Sequence, residues 1–241
     1  IDKSYTHIAS GHYSQIESKD NLFYLKESPD VIKDQTYFLT YLNQEQLSKI
    51  IFPIGKYTKS QVRDLAQKYL LPTSNRKDSQ GICFLGKIKY NDFIKFHLGE
   101  LKGDIIEIES NKKIGTHKGY WFHTIGQRTG LGLSGGPWYV VKKDIPNNII
   151  YISKNNQTEI IPHDKFNVLN VNWIPQKVND NFMEVKLRHG AKKYKCEVKY
   201  ISDNKVQVLL SEPDQGLSSG QFAIFYKDSY CLGGGVIEII E

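Results

Sequence analysis

Met183-Glu184-Val185-Lys186-Leu187 alternates apolar and polar residues without a break. Successive side chains of a strand point to opposite faces, so a period of two marks a half-buried β-strand. The same signal recurs downstream. Val206, Val208 and Leu210 carry it, Phe222, Ile224 and Tyr226 continue it as the next apolar set, and Val236-Ile237-Glu238-Ile239-Ile240 closes it. Cys196 alternates with Val198 in the same manner. Several short strands separated by turn signals predict a small β-barrel over residues 163–241.

Upstream the texture changes. Residues 1–84 mix short apolar runs with helical patterns, which predicts an α/β segment. Thr58 and Gln61 fit a capping box, and Val62, Leu65, Ala66, Tyr69 and Leu70 recur at helical spacing before Pro72. A shorter helix is expected from Asn43, as its cap, through Leu47 and Ile50, ending before Pro53. Residues 85–162 predict one helix near Asn91–His97 and then a small, mainly β domain. There Pro146-Asn147-Asn148 separates Tyr139-Val140-Val141 from Ile149-Ile150-Tyr151, a hairpin signal. Five glycines cluster between Ile125 and Trp138.

Composition is that of an ordinary globular protein, with 39% hydrophobic and 24% charged residues in 241. A net charge of +6 favours polyanionic partners, nucleic acid among them. Cys83, Cys196 and Cys231 are too few and too widely spaced for a disulfide framework. No CxxC, HxxxH or HxH spacing occurs, so no tightly bound metal is expected. No run approaches the roughly 20 apolar residues of a membrane span, so no membrane partner is expected. The first residues, Ile1-Asp2-Lys3-Ser4-Tyr5, hold neither an initiator Met nor a signal-peptide pattern. The chain is therefore expected to start inside a larger protein.

The densest local signal is Lys77-Asp78-Ser79-Gln80-Gly81-Ile82-Cys83-Phe84-Leu85-Gly86. Glycines flank the cysteine, and Arg76 and Lys77 precede it. Nearby positive charge raises the thiolate fraction, and glycines permit close approach by a reacting partner. The competing reading is a small buried hydrophobe. Ser134-Gly135-Gly136 precedes Pro137-Trp138 rather than Asp-Ser, and is read as a turn. No GxxxxGK[ST] loop occurs.

The run Asp78–Gly86 closely resembles the DS[TQ]GICF[IL]G signature of the bacterial and organellar tRNA 2-thiouridylases. Further stretches resemble that family in the right order: Ala9-Ser10-Gly11-His12-Tyr13, Lys33-Asp34-Gln35-Thr36-Tyr37-Phe38-Leu39, Thr124-Ile125-Gly126-Gln127-Arg128 with Gly130-Leu131-Gly132-Leu133, Trp138-Tyr139-Val140-Val141, and Cys231-Leu232-Gly233-Gly234-Gly235. Together they span essentially the whole chain.

The resemblance implies a fold and a chemistry. The fold is α/β plus β. Residues 1–84 would be the C-terminal part of an adenine-nucleotide alpha-hydrolase-like (ATP-pyrophosphatase) domain, 85–162 a central PRC-barrel-like domain, and 163–241 a tRNA-binding β-barrel. The implied enzyme is a sulfurtransferase that activates the C2 oxygen of the wobble uridine with ATP, then delivers sulfur from a cysteine persulfide as AMP leaves. Cys83 matches the persulfide carrier. Gly11 matches a position near ATP, where a missing side chain lets backbone approach the nucleotide. His12, Lys33, Asp34, Gln35, Arg188, His189 and Gln221 match tRNA-contacting positions. At Arg188-His189 the family usually carries Arg-Tyr, so His189 is a departure that keeps a flat ring. The family's SGGxDS loop and its second catalytic cysteine belong upstream of Ile1, which places most of the ATP site outside this chain. The implied partners are tRNA and a sulfur donor, either a persulfide relay protein or a cysteine desulfurase. The implied location is the bacterial cytoplasm, or alternatively an organelle. Cys196 and Cys231 are read as structural. The alternatives are a non-catalytic tRNA-binding fragment lacking the ATP loop, and another ATP-pyrophosphatase such as an argininosuccinate synthase-like ligase. The Gly-Ile-Cys loop and the β-rich C-terminal half speak against the latter.

Overall fold

The structure is a computed structural model that describes residues 4–75, 89–155, 163–214 and 216–240. The chain divides into two compact units. One joins Ile1–Arg76 to Pro162–Glu241, and the other is Lys77–Ile161.

The first segment of the larger unit runs β1 (Ile8–Ala9), β2 (Ser14–Lys19), β3 (Leu22–Glu27), α1 (Thr36–Leu39), α2 (Gln44–Ser48), β4 (Ile50–Ile51) and α3 (Lys59–Lys68). Both expected helix starts form. Asn43 with Gln46 and Thr58 with Gln61 each make a reciprocal capping box, which satisfies two N–H groups that a helix start otherwise leaves open. The shorter helix ends earlier than its spacing predicts. Ile50 and Ile51 leave it to pair in parallel with Ile8 and Ala9. Two β-branched side chains fit a pleated strand better than a helix end. On α3 the helix forms as expected, but Tyr69 and Leu70 lie beyond its last turn and are exposed.

The second segment supplies the barrel: β9 (His163–Trp173), β10 (Phe182–Lys186), β11 (Tyr194–Tyr200), β12 (Lys205–Asp214), β13 (Phe222–Lys227) and β14 (Tyr230–Ile239). Hydrogen bonding runs β13-β10-β11-β12-β9-β14, and β14 returns to β13, so six antiparallel strands close. Closure removes the open edges that would otherwise pair with another chain. Phe166, Val168, Met183, Val185, Val198, Val206, Val208, Phe225 and Ile237 belong to the barrel core.

One strand is in the opposite phase to the one its apolar set suggests. In β13 it is Ala223 and Phe225 that join the barrel core. Ile224 and Tyr226 instead join Leu25, Leu47, Ile174 and Cys231 in a second core, and Phe222 is exposed. The reason is that this strand is covered on both faces. β14 pairs with β3 through Tyr230–Lys26 and Cys231–Leu25, so the β2–β3 hairpin extends the barrel sheet and brings the α/β segment against it.

The smaller unit holds α4 (Tyr90–Leu98), β5 (Gly103–Glu107), β6 (Lys112–His117), β7 (Tyr139–Asp144) and β8 (Ile149–Ser153). Its sheet has the order β6-β5-β8-β7 over a core of Ile105, Trp138, Val140, Ile150 and Ile152. The expected β7–β8 hairpin is present, with Tyr139 opposite Ser153 and Asp144 opposite Ile149. Ser134 and Gly135 form a bend between Leu133 and β7.

Candidate nucleic-acid and nucleotide site

The loop from Ser28 to Gln35 joins β3 to α1 and is tied down on three sides. Asp30 accepts from the Lys59 N–H with Oδ2 at 2.9 Å, at the first turn of α3, and from the Lys33 N–H with Oδ1 at 3.2 Å. A carboxylate there also complements the positive end of the helix. Gln35 makes two bonds to one residue. Its N–H donates to the Tyr13 carbonyl at 2.9 Å, and its Oε1 accepts from the Tyr13 N–H at 2.9 Å. The third tie is to the barrel. Lys186 at the end of β10 meets the Asp34 carboxylate at 3.1 Å, and the His189 ring Nε2 lies 3.2 Å from the Asp34 carbonyl oxygen.

Three of the sequence-predicted groups are thus brought together in one unit: Gly11-His12, Lys33-Asp34-Gln35 and Arg188-His189. Gly11 is exposed, and a Cβ placed on it would meet nothing within 4 Å. The fold itself therefore does not demand a glycine there. His12 Nδ1 lies 2.5 Å from Ser10 Oγ, its ring stands edge-on to Phe52, and burial lowers its pKa. At neutral pH it is a neutral, oriented ring.

Asp34 is enclosed by protein groups. Its side chain is only 1% exposed. Oδ2 accepts from Lys186 and from Thr36 Oγ1 at 2.7 Å, and Oδ1 accepts from the Ser28 N–H at 3.1 Å. Its carboxylate faces protein, not solvent.

On the barrel, Arg188 is exposed and pairs with Asp214. Asp214 also accepts from the Tyr194 hydroxyl and the Gly216 N–H. The guanidinium is therefore anchored at one edge and open at another. The His189 ring lies 4.8 Å from that of Phe38 at an interplanar angle of 30°. Gln221 is exposed, beside Phe222, whose carbonyl accepts from the Tyr37 hydroxyl. Burial raises the Tyr37 pKa, with Arg188 opposing the shift. An anchored cation, an amide and flat rings on one surface are what phosphate and base contacts require.

Lys186 and its partner Glu27 escape sequence reasoning, because Lys186 occupies a polar position of the alternation. Cys83 lies outside the described residues. Cys196 and Cys231 are buried free thiols, and burial pushes both up to about 12. Their thiolates are scarce at neutral pH, which suits structural roles. Treating the native chain with iodoacetamide at pH 7.5 should leave both unlabelled, with alkylation appearing only after denaturation. Peptide mass mapping checks this, and rapid native labelling of either would overturn the assignment.

Among the described residues, no group of three or more His, Cys, Asp or Glu side chains could hold a metal ion. No described helix is long and apolar enough to cross a membrane.

Three stretches of the chain match known family domains. Residues 1–87 match the tRNA methyl transferase HUP domain, residues 91–154 the tRNA methyl transferase PRC-barrel domain, and residues 163–237 the aminomethyltransferase beta-barrel domain. The class is therefore a three-part architecture: a HUP domain portion, a central PRC-barrel-like β domain and a six-stranded β-barrel. The tRNA-specific 2-thiouridylase MnmA 1 of Bacteroides thetaiotaomicron is 44% identical over 244 residues, covering 98% of this chain and 69% of the relative. MnmA 2 of Bacteroides fragilis (strain YCH46) is 43% identical with the same coverage, and MnmA of Parabacteroides distasonis is 44% identical over 98% of this chain and 67% of its own length. The chain belongs to the tRNA-specific 2-thiouridylase family.

Proposed function

We propose that this chain works within a tRNA 2-thiouridylase that places sulfur on C2 of the wobble uridine. The observation that carries the reading is the loop 28–35, which bonds to Tyr13 on one side and to the barrel strand end 186–189 on the other. It links the residues expected near ATP to those expected on tRNA.

In this reading the uridine C2 oxygen attacks ATP, pyrophosphate leaves, and the base carries an adenylate. The terminal sulfur of a Cys83 persulfide then attacks C2 and AMP departs, after which the second cysteine of the complete enzyme attacks the Cys83 sulfur, breaking the S–S bond so that the transferred sulfur stays on C2 and the two cysteines are left as a disulfide. The open space beside Gly11 suits the approach of a nucleotide. Lys33 and Gln35 would contact RNA at the cleft, with His12 as an oriented ring beside them. Asp34 would hold that loop in place rather than touch RNA. Arg188, His189 and Gln221 would dock the tRNA body. A cysteine desulfurase or persulfide relay protein would load Cys83, in the bacterial cytoplasm that the family relatives suggest.

The barrel contacts are tested by titrating tRNA at several salt concentrations. Arg188→Ala should weaken cognate and non-cognate tRNA by similar factors, on the order of 1–2 kcal/mol, about the size of one net hydrogen bond. It should also flatten the salt dependence, because one phosphate-facing cation is lost. Gln221→Ala should cost less and leave the salt slope nearly unchanged. If removing Arg188 altered neither affinity nor slope, the barrel would not be the docking surface.

A further inference from the structure

Lys186 lies at the end of β10, and its side chain is only 2% exposed. Its Nζ is 3.1 Å from Asp34 Oδ2, 3.1 Å from Glu27 Oε1 and 4.8 Å from the centroid of the Tyr226 ring. Lys193 shares Glu27 at 2.7 Å and approaches the same ring from 4.8 Å. Burial works against the Lys193 charge, but Glu27 and Glu184 outweigh it and raise its pKa. The Tyr226 hydroxyl closes the cluster on Thr36 Oγ1 at 3.0 Å. Two lysines thus face Glu27 and Asp34 inside the unit.

Such a cluster is a poor source of stability. Desolvation of buried ions offsets most of their attraction, and apolar replacements of similar volume are often neutral or better. What it does supply is a single geometry. Every acceptor on Asp34 has a directed partner, and the next residue is Gln35, which holds both backbone groups of Tyr13. The path runs from Lys186 to Asp34, to Gln35, to Tyr13, two residues from Gly11. Three residues after Lys186, His189 reaches the Asp34 carbonyl. One barrel strand end therefore grips Asp34 at both its side chain and its main chain.

We propose that Lys186 is a positioning residue for uridine activation. It fixes Asp34 so that Gln35 holds the Gly11–Tyr13 segment, and so sets the cleft from the barrel side. The proposal rests on the functional reading above, but its first test does not. In the chain itself, hydrogen exchange at the Tyr13 amide should quicken at least about tenfold in Lys186→Met, because the loop that protects it is released. Lys186→Met leaves Asp34 as an uncompensated buried charge, so the double variant Lys186→Met with Asp34→Asn is compared beside it. The double variant should recover thermal stability yet keep the fast Tyr13 exchange. Val206→Ala, a barrel-core change outside the network, should lower stability and leave Tyr13 exchange unchanged.

In the complete enzyme, the double variant should lose roughly tenfold or more in kcat for thiolation, since small misplacements of reacting groups are costly. Its tRNA affinity should fall less than about threefold, because Arg188 and Gln221 remain to hold phosphate and base edges. Wild-type exchange at Tyr13 together with wild-type kcat in a folded double variant would overturn the proposal. A wild-type enzyme that failed to thiolate tRNA would instead sink the functional reading, while Tyr13 exchange would still decide the role of Lys186.

Discussion

Replacing Cys83 by Ser in the complete enzyme should abolish 2-thiouridine formation, with a loss of roughly a thousandfold or more, because a hydroxyl cannot carry a persulfide. The expectation rests on the glycine-flanked Gly81-Ile82-Cys83 sequence with Arg76 and Lys77 before it, on the family to which the chain belongs, and on elimination within the chain. Of its three cysteines, Cys196 and Cys231 are buried and held far from the thiolate form. Cys196→Ser and Cys231→Ser should therefore retain thiolation wherever they fold. Affinity for tRNA should be unchanged in Cys83→Ser, since the barrel and the 33–35 loop are untouched. Nucleoside mass spectrometry of reacted tRNA measures the product, and a titration measures affinity. Wild-type-like thiolation by Cys83→Ser would remove Cys83 from the mechanism.

Much of the fold is legible in the sequence because local rules and tertiary packing agree there. Asn43/Gln46 and Thr58/Gln61 announce helix starts that form with both capping bonds. Met183, Val185, Val206 and Val208 mark the faces that fill the barrel. Period-two alternation, however, assumes one wet face. In β13 both faces are covered, so Ile224 and Tyr226 serve the second core while Ala223 and Phe225 line the barrel. The same assumption hides Lys186. A lysine between Val185 and Leu187 reads as solvent-facing, but Glu27 at the end of β3 and Asp34 of the 28–35 loop pair its charge on that face. The site is legible as motifs and not as roles. Lys33-Asp34-Gln35 marks the loop, yet only the fold shows that the Asp34 carboxylate is enclosed.

The run Gly233-Gly234-Gly235 in β14 is where small changes should cost the fold most. This strand bonds to β9, β13 and β3, and its register with both β9 and β13 shifts near the glycines, so neighbouring backbones crowd it. Gly233 combines two demands. Its φ of +116° lies where side chains are strained, and a Cβ there would sit 1.9 Å from the Asn172 carbonyl oxygen. Backbone strain and overpacking each cost roughly 1–3 kcal/mol, against a total stability of about 5–15 kcal/mol for a typical protein. Gly233→Ala should therefore remove a large share of the stability of the unit that holds the barrel. Two further variants separate the causes. Gly220→Ala has a positive φ of +87° but open space around the new Cβ, so it tests strain alone. Gly235→Ala has no positive φ but would meet the Leu169 carbonyl oxygen at 2.3 Å, a backbone atom that cannot swing aside, so it tests crowding alone. Urea unfolding followed by tryptophan fluorescence should rank Gly233→Ala below both, because Trp173 packs against Phe225 in the barrel core and reports its loss. The slope of the transition should stay constant in all three if the denatured states are alike. A Gly233→Ala midpoint no lower than that of Gly220→Ala would mean that β14 and β9 can part without cost, and that the close approach at Asn172 does not constrain the barrel.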